Sequence, residues 1–270
     1  MALQQHIFRP GVSLDHLLAN RRWIRREVPF PHLVATNVFT QPFYNLLAQE
    51  FYREFEREAP EGLQDPALRM NGYDAYGLHF PPGIEGPLSI FLSRPWHDLL
   101  GSLFRVNATG FINAGLHHHA IGSNSGLVHN DLSIGWFVDY EALGGIRVPR
   151  HDLCRYTDGT PLVPDVSRIE MVRSVTMMFY LANPVWEPGH GGETGLYRCS
   201  NDDVHSPAAT VPPINNSILM FECTPVSYHS FLRNNQSTRN SVIMWLHQPK
   251  SEAVAKWGDD KIVRFPRAPS

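Results

Sequence analysis

The chain has 270 residues, of which 43% are hydrophobic and 18% charged. This is enough apolar material for a full core and too little charge for intrinsic disorder. The net charge of −3 argues against a protein whose main task is to neutralise nucleic-acid phosphates, and no apolar run reaches the roughly 18 residues of a membrane span. The three cysteines are odd in number and widely spaced, which predicts reduced thiols and a cytoplasmic location.

The first part of the chain carries helix signals. Ser13 predicts a helix cap, with the helix running to about Glu27. Thr40 precedes a second run in which Phe43, Leu47, Phe51 and similar residues recur at helical spacing. Ser93 begins a third helix that we expect to end near Phe104. Residues 1–109 are therefore predicted to form a helical flank.

After Gly110 the sequence changes to short segments rich in β-forming residues, separated by turn signals. The predicted strands are Phe111–Ile121, Leu127–Asp131, Gly135–Tyr140, Ser174–Leu181, Thr194–Cys199, Ser217–Glu222, Ser227–Leu232 and Arg239–His247. Short strands after a helical part predict a mainly β fold with flanking helices and a jelly-roll (double-stranded β-helix, cupin-like) core. We expect one domain over 1–270, with this core at 110–248, a flap at 141–173 and a C-terminal tail at 249–270.

The motif of most interest is His129-x-Asp131. On an extended segment the two side chains point the same way, since strand side chains alternate. Alone, the motif is more typical of a surface turn than of a metal site. The distant His229, in an apolar strand, is by itself more typical of a core histidine than of a metal ligand. Together they offer two imidazoles and one carboxylate, a set that leaves positions open on Fe(II).

A second feature lies ten residues after His229. Arg239 and Ser241 share one face of a predicted strand. A buried guanidinium needs an anionic partner, and its planar fork suits a carboxylate; the serine hydroxyl can add a hydrogen bond to the same group. The sequence therefore combines a metal set with a carboxylate socket.

These residues resemble the Fe(II)- and 2-oxoglutarate-dependent dioxygenases, in particular the prolyl-4-hydroxylase-like branch. That family has H-x-D, a distal His, and an Arg or Lys about ten residues later, often as R-x-S. The segments Met178–Pro184, Gly191–Thr194 and Asn216–Phe221 resemble its middle strands. The resemblance covers roughly residues 111–247.

The resemblance implies that His129, Asp131 and His229 bind Fe(II) and that Arg239 and Ser241 bind the far carboxylate of 2-oxoglutarate. The family usually has a tyrosine where this chain has His119, for which a hydrogen bond to the same co-substrate is expected. We expect one residue of the run His117–His119 to line the co-substrate pocket. O₂ is the oxidant, and ascorbate is expected to support turnover. An aspartate at 131 favours hydroxylation or another oxidation over halogenation.

The substrate is expected to be a small molecule, such as an amino acid or biosynthetic intermediate, oxidised at an unactivated C–H bond. Two alternatives remain open: the same chemistry on a peptide or protein side chain, and a cupin-like metal-binding protein without catalysis. Candidate substrate residues are Tyr73 in the Gly- and Pro-rich segment, Trp136 after the metal motif, and Arg147 on the flap. A loop cover, core packing and solvated charge are the respective alternatives. No nucleic-acid or membrane partner is expected, and the chain is predicted to be a monomer or homodimer.

Overall fold

A computed structural model describes residues 13–59, 61–70, 73–107 and 109–264. The helices are α1 (Leu14–Leu17), α2 (Gln41–Glu58), α3 (Arg94–Phe104) and α4 (Lys250–Trp257), with 3-10 turns at Pro66–Leu68, Pro87–Leu92 and Asp259–Lys261. The strands are β1 (Ile24–Arg26), β2 (His32–Thr36), β3 (Tyr76–His79), β4 (Ile112–His119), β5 (Ile134–Val138), β6 (Arg168–Tyr180), β7 (Thr194–Tyr197), β8 (Ala209–Val211), β9 (Ser217–Glu222), β10 (Tyr228–Phe231) and β11 (Arg239–Pro249). Within these ranges, no helix combines the length and hydropathy of a membrane span.

Two antiparallel sheets form the core. The larger has the order β1-β2-β9-β6-β11-β4-β3, with β5 also paired to β6, and the smaller has the order β10-β7-β8. One face of the larger sheet packs against α2 and α3 through a cluster that includes Phe43, Phe51, Leu116, Phe179 and Val242, all fully buried. The predicted mainly β fold with flanking helices is confirmed. The opposite face of the large sheet is left to line the functional site.

The register of the large sheet decides which side chains share that inner face. On β11, Arg239, Ser241, Ile243 and Trp245 alternate with core residues. Ser241 lies opposite His117 of β4 and Tyr180 of β6. Side chains directly opposite in an antiparallel pair point to the same face, so one row of polar groups crosses three strands. The fold therefore supplies a polar inner wall above an apolar core.

The flank differs from the prediction of a purely helical segment. The first helix ends at Leu17 instead of near Glu27, because the Asn20 side chain accepts a hydrogen bond from the Arg22 backbone N–H, a local bond that competes with helix continuation. The chain then enters β1 and β2, and β3 follows later, so the flank contributes three strands to the large sheet. These strands are only three to five residues long, too short to give a strong β signal in the sequence.

The second and third helices begin where the capping residues predicted. Thr40 occupies the N-cap position of α2 without a side-chain hydrogen bond, whereas the Ser93 hydroxyl accepts a bond from the Trp96 N–H at the start of α3. The apolar residues at helical spacing are buried on α2, as expected for a helix packed on a sheet, and Glu50 and Glu54 are buried beside them.

The flap from 141 to 173 contains a narrow turn, and its last six residues already belong to β6. The backbones of Cys154 and Pro161 form an isolated β-bridge, and the Arg155 N–H donates to the Thr160 carbonyl oxygen at 2.9 Å. This turn holds the ring of Tyr156 directly against Gly135 of β5, where a Cβ atom would lie 2.5 Å from the ring. The flap is therefore packed onto the barrel through Tyr156.

Candidate metal centre

The two histidines of the predicted set are brought together by backbone pairing. The segment before Asp131 is not a regular strand; it runs beside β10 and makes a single bridge there. The His129 N–H donates to the His229 carbonyl at 3.1 Å, and the His229 N–H donates to the His129 carbonyl at 2.9 Å. Residues that exchange both bonds lie directly opposite each other, and the two imidazole rings are 4.4 Å apart.

Both imidazoles are oriented by backbone carbonyl oxygens. His129 Nδ1 lies 2.8 Å from the Leu127 oxygen, and His229 Nδ1 lies 3.2 Å from the Ser227 oxygen. With a proton on Nδ1, each imidazole donates to its carbonyl oxygen and keeps the Nε2 lone pair free. This is the usual arrangement of metal-binding histidines. With a carboxylate oxygen of Asp131, the potential ligand atoms lie within 4.8 Å of one another. The donor set fits a divalent metal ion.

The Asp131 carboxylate is held by three donors. Arg173 Nη1 donates to Oδ1 at 2.7 Å, while Thr176 Oγ1 and Trp245 Nε1 donate to Oδ2 at 2.8 and 2.7 Å. Each carboxylate oxygen accepts about two bonds in its plane. Oδ2 is therefore saturated, whereas Oδ1 keeps one free position. This geometry leaves Asp131 able to bind a metal through a single oxygen.

The protonation states of these groups suit a cation. Burial by itself would raise the pKa of the Asp131 carboxyl, but the Arg173 guanidinium and His229 hold that pKa well below its usual range. Burial and the neighbouring His229 lower the pKa of His129 to about 4. At neutral pH the site therefore presents a carboxylate and a neutral His129 imidazole.

Arg239 is buried and has no carboxylate partner among the described residues. Its Nη2 donates to Thr194 Oγ1 at 3.2 Å, its guanidinium lies 5.2 Å from the Tyr180 ring centre and 5.4 Å from that of Phe231, and its Nε has no partner. A buried charge without a counter-ion is costly. The arrangement fits a ligand that brings its own carboxylate.

The two other residues predicted for the co-substrate lie beside Arg239. Ser241 follows Arg239 on the same face of β11, and His119 lies opposite Arg239 on β4. Both are fully buried, and Ser241 Oγ and His119 Nε2 are without hydrogen-bond partners. His119 Nδ1 lies 3.2 Å from the Asp74 carbonyl oxygen, and its ring stacks on Phe231 at 3.8 Å. These two side chains sit behind Arg239, outside the described cavity lining.

One cavity of about 1130 Å³ joins these groups. His129, Asp131, His229 and Arg239 all line it. Such a volume exceeds what a five-carbon diacid requires and is in the range of pockets that hold larger ligands. The metal set and the arginine are therefore accessible from the same space.

The three candidate substrate residues are placed differently. Tyr73 lines the cavity, and its ring contacts His119 edge-on at 5.5 Å. Trp136 does not line it; its ring packs over Gly159 of the flap. Arg147 is also outside, because its guanidinium donates twice to the Tyr140 carbonyl oxygen, at 3.0 and 2.6 Å. Trp136 and Arg147 therefore lie outside the cavity lining that the structure describes, and both side chains contact the flap.

Sequence reasoning missed the three donors to Asp131. Thr176 and Trp245 lie opposite each other on β6 and β11, and alternation within strands whose pairing was known would have found them. Strand alternation would not have placed Arg173 on this face. A β-bulge between Leu246 and His247 shifts the register, so that Arg173 and Thr176, three residues apart, share one face. Bulges redirect side chains in this way and have no reliable sequence pattern.

Comparisons with known proteins agree with the motif-based resemblance. The family model described as the 2OG-Fe(II) oxygenase superfamily matches residues 152–247, which contain His229, Arg239 and Ser241. No curated protein sequence matches the chain.

Solved prolyl hydroxylase structures resemble the chain at low sequence identity. A Pseudomonas putida prolyl-4-hydroxylase has 15% identity and a TM-score of 0.48, covering 81% of this chain and 92% of its own. A Trichoplax adhaerens prolyl hydroxylase, in complex with a hypoxia inducible factor peptide fragment, has 14% identity and a TM-score of 0.48, with coverages of 83% and 86%. The viral collagen prolyl hydroxylase of Paramecium Bursaria Chlorella virus-1 has 14% identity and a TM-score of 0.43, with coverages of 73% and 90%.

The family match includes the distal histidine and the arginine that carry the resemblance. The predicted resemblance to the 2OG-Fe(II) oxygenase superfamily is confirmed over residues 152–247.

Proposed function

We propose that this protein is an Fe(II)- and 2-oxoglutarate-dependent dioxygenase that hydroxylates an unactivated C–H bond of a small molecule and releases succinate and CO₂. An amino acid or a biosynthetic intermediate is the expected substrate type. The observation that carries the proposal is one cavity lined by a two-histidine, one-carboxylate set and by a buried arginine without a counter-ion. A cupin-like protein that only stores a metal has no need of that unpaired arginine.

In this proposal His129, Asp131 and His229 hold Fe(II), which supplies the redox chemistry with O₂ that the superfamily uses. Asp131 would offer Oδ1 to the metal, because Thr176 and Trp245 donate hydrogen bonds to Oδ2. The chain thus fixes the metal geometry through hydrogen bonds that exist before the metal arrives.

Arg239 takes the far carboxylate of 2-oxoglutarate. Ser241 and His119 remain our candidates for further co-substrate contacts, since each has an unpartnered polar atom beside Arg239. Tyr73 is proposed to form part of the substrate wall.

Turnover of 2-oxoglutarate tests this function. Purified protein with Fe(II), ascorbate and O₂ should convert 2-oxoglutarate to succinate, and mass spectrometry of candidate substrates should show a gain of one oxygen. His129→Ala and Arg239→Gln should abolish succinate release, whereas Arg233→Gln, at an exposed arginine outside the cavity lining, should not. Succinate release that survives His129→Ala would contradict the assigned metal set.

The second candidate is the same chemistry on a peptide or protein side chain. The favouring observation is the cavity volume of about 1130 Å³, which is large for a free amino acid plus the co-substrate. A panel that contains both small molecules and peptides distinguishes the two. The three free cysteines agree with a reducing compartment, and we propose a cytoplasmic location.

A further inference from the structure

Two described side chains of the cavity lining contain a buried nitrogen without a hydrogen-bond partner. One is Arg239, through Nε, and the other is His117, through Nδ1. The proposed function gives the guanidinium a carboxylate from 2-oxoglutarate. It leaves the imidazole without a ligand, although buried polar side chains are normally hydrogen-bonded.

His117 faces a glycine on its neighbouring strand. It lies on β4 opposite Ser241 of β11 and opposite Gly77 of β3. Gly77 has no side chain, and a Cβ there would meet the Met70 side chain at 3.1 Å. His118, the next residue, faces the other side of the sheet and bonds Asn240 at 2.7 Å. The ring of His117 is therefore a wall of the cavity beside the co-substrate arginine and plays no evident part in the core.

The imidazole of His117 is neutral. Burial, with smaller contributions from His79, Arg239 and Arg173, lowers its pKa to about 3. Its Nδ1 is enclosed by protein and has no acceptor. A buried N–H without an acceptor costs more than a buried lone pair without a donor, so we assign the proton to Nε2. The ring then presents an N–H donor through its other edge.

Apart from Arg239, the arginines and aspartates of the described cavity lining already have opposite charges close by. Arg69 lies 3.3 Å from Asp74, and Arg173 lies 2.7 Å from Asp131. Arg239 is assigned to the co-substrate. A free amino acid would bring an ammonium and a carboxylate for which the described lining holds no spare counter-charge.

We propose that His117 is a specificity-determining residue that donates a hydrogen bond to an uncharged oxygen of the substrate, either an amide carbonyl or a hydroxyl. The inference rests on the proposed function and narrows its substrate class to compounds that are uncharged near the oxidised carbon. An N-blocked amino-acid amide or a hydroxylated intermediate fits this description better than a zwitterion.

Nitrogen NMR of selectively ¹⁵N-histidine-labelled protein, loaded with Zn(II) and 2-oxoglutarate, tests the proposal. The probes are N-methylacetamide, as a neutral carbonyl acceptor, and acetate, as a charged one. We expect His117 to be neutral with its proton on Nε2 and to shift saturably with the amide. Half-saturation with acetate should need about tenfold more ligand, the equivalent of one hydrogen bond without charge compensation. The exposed His205 should shift with neither probe.

The His117 signals are identified by their loss in His117→Leu, with His117→Gln as a second variant if the first does not fold. A proton on Nδ1, equal affinity for acetate, or no response to N-methylacetamide would overturn the proposal. The readout requires no turnover. Absent succinate formation would therefore refute the proposed function while leaving the His117 result standing.

Discussion

The substitution Arg173→Met tests whether the guanidinium beside Asp131 helps or opposes the metal. Arg173 is 8% exposed, donates to Asp131 Oδ1 at 2.7 Å and to the Tyr156 hydroxyl oxygen at 3.0 Å, and lies 4.0 Å from the Trp245 ring centre. It is the only described cation bonded to the candidate metal carboxylate. Methionine preserves much of the buried volume and removes the charge.

The magnitudes predict opposite effects on folding and on metal binding. Removing one partner of a buried ion pair costs about 3–5 kcal/mol of stability, because Asp131 is left without its counter-charge. A divalent ion on the free Oδ1 position would lie about 4 Å from the guanidinium, and at an effective dielectric constant of about 20 their repulsion is roughly 8 kcal/mol. Loss of one orienting bond costs only about 1–3 kcal/mol, and Thr176 and Trp245 still hold Oδ2. Because the repulsion removed is larger than the orienting hydrogen bond lost, the Arg173→Met variant should bind metal more tightly than wild type.

The assay is urea unfolding of the metal-free protein together with Co(II) titration calorimetry. We expect the metal-free variant to be destabilised by about 3–5 kcal/mol and to bind Co(II) at least about tenfold more tightly than wild type. Arg168→Met is the matched control for metal affinity. Arg168 lies on the same strand, but it stacks over Trp136 and donates to the Gly159 carbonyl oxygen, so its loss should leave Co(II) binding unchanged. A weaker Co(II) affinity in Arg173→Met would show that orientation of the carboxylate outweighs repulsion, and the reasoning would be refuted.

Three further predictions concern other parts of the molecule. Arg239→Gln should weaken 2-oxoglutarate binding by about 2–5 kcal/mol and leave the Co(II) affinity nearly unchanged. The control Arg233→Gln should change neither affinity. A parallel loss of both affinities in calorimetry of Arg239→Gln would contradict the assigned roles. Burial lowers the pKa values of His117 and His247 to about 3, so the unfolded chain binds their protons first as pH falls below about 6.5. Together the two histidines should therefore lower the free energy of unfolding by about 4 kcal/mol between pH 7 and pH 5. A urea midpoint that is the same at both pH values would contradict this prediction. Gly135→Ala should cost about 1–3 kcal/mol by overpacking, since its Cβ would lie 2.5 Å from the flap's tyrosine ring; a thermal melt as high as wild type would show that the flap can move away.

The sequence identified the residue types of the site and the class of fold. Residue identities were informative because Fe(II) accepts few kinds of ligand and a carboxylate is best met by a guanidinium. The start of helix α3 could be placed from Ser93, because a side-chain cap is a local interaction. Most strands of the core were located because β-forming residues and turn signals are local patterns, whereas the segment 127–131 is not a regular strand.

The tertiary structure decided what surrounds those residues. The meeting of His129 and His229 depends on a pair of backbone hydrogen bonds between segments 100 residues apart, and the position of Arg173 depends on a bulge in β6. Neither leaves a pattern in the side chains. The lack of a hydrogen-bond partner for His117 Nδ1 among the described residues likewise depends on the tertiary structure, because possible partners come from several strands. Local sequence specifies the chemistry that a chain carries, whereas long-range pairing determines which groups are satisfied within the protein and which remain free for a ligand.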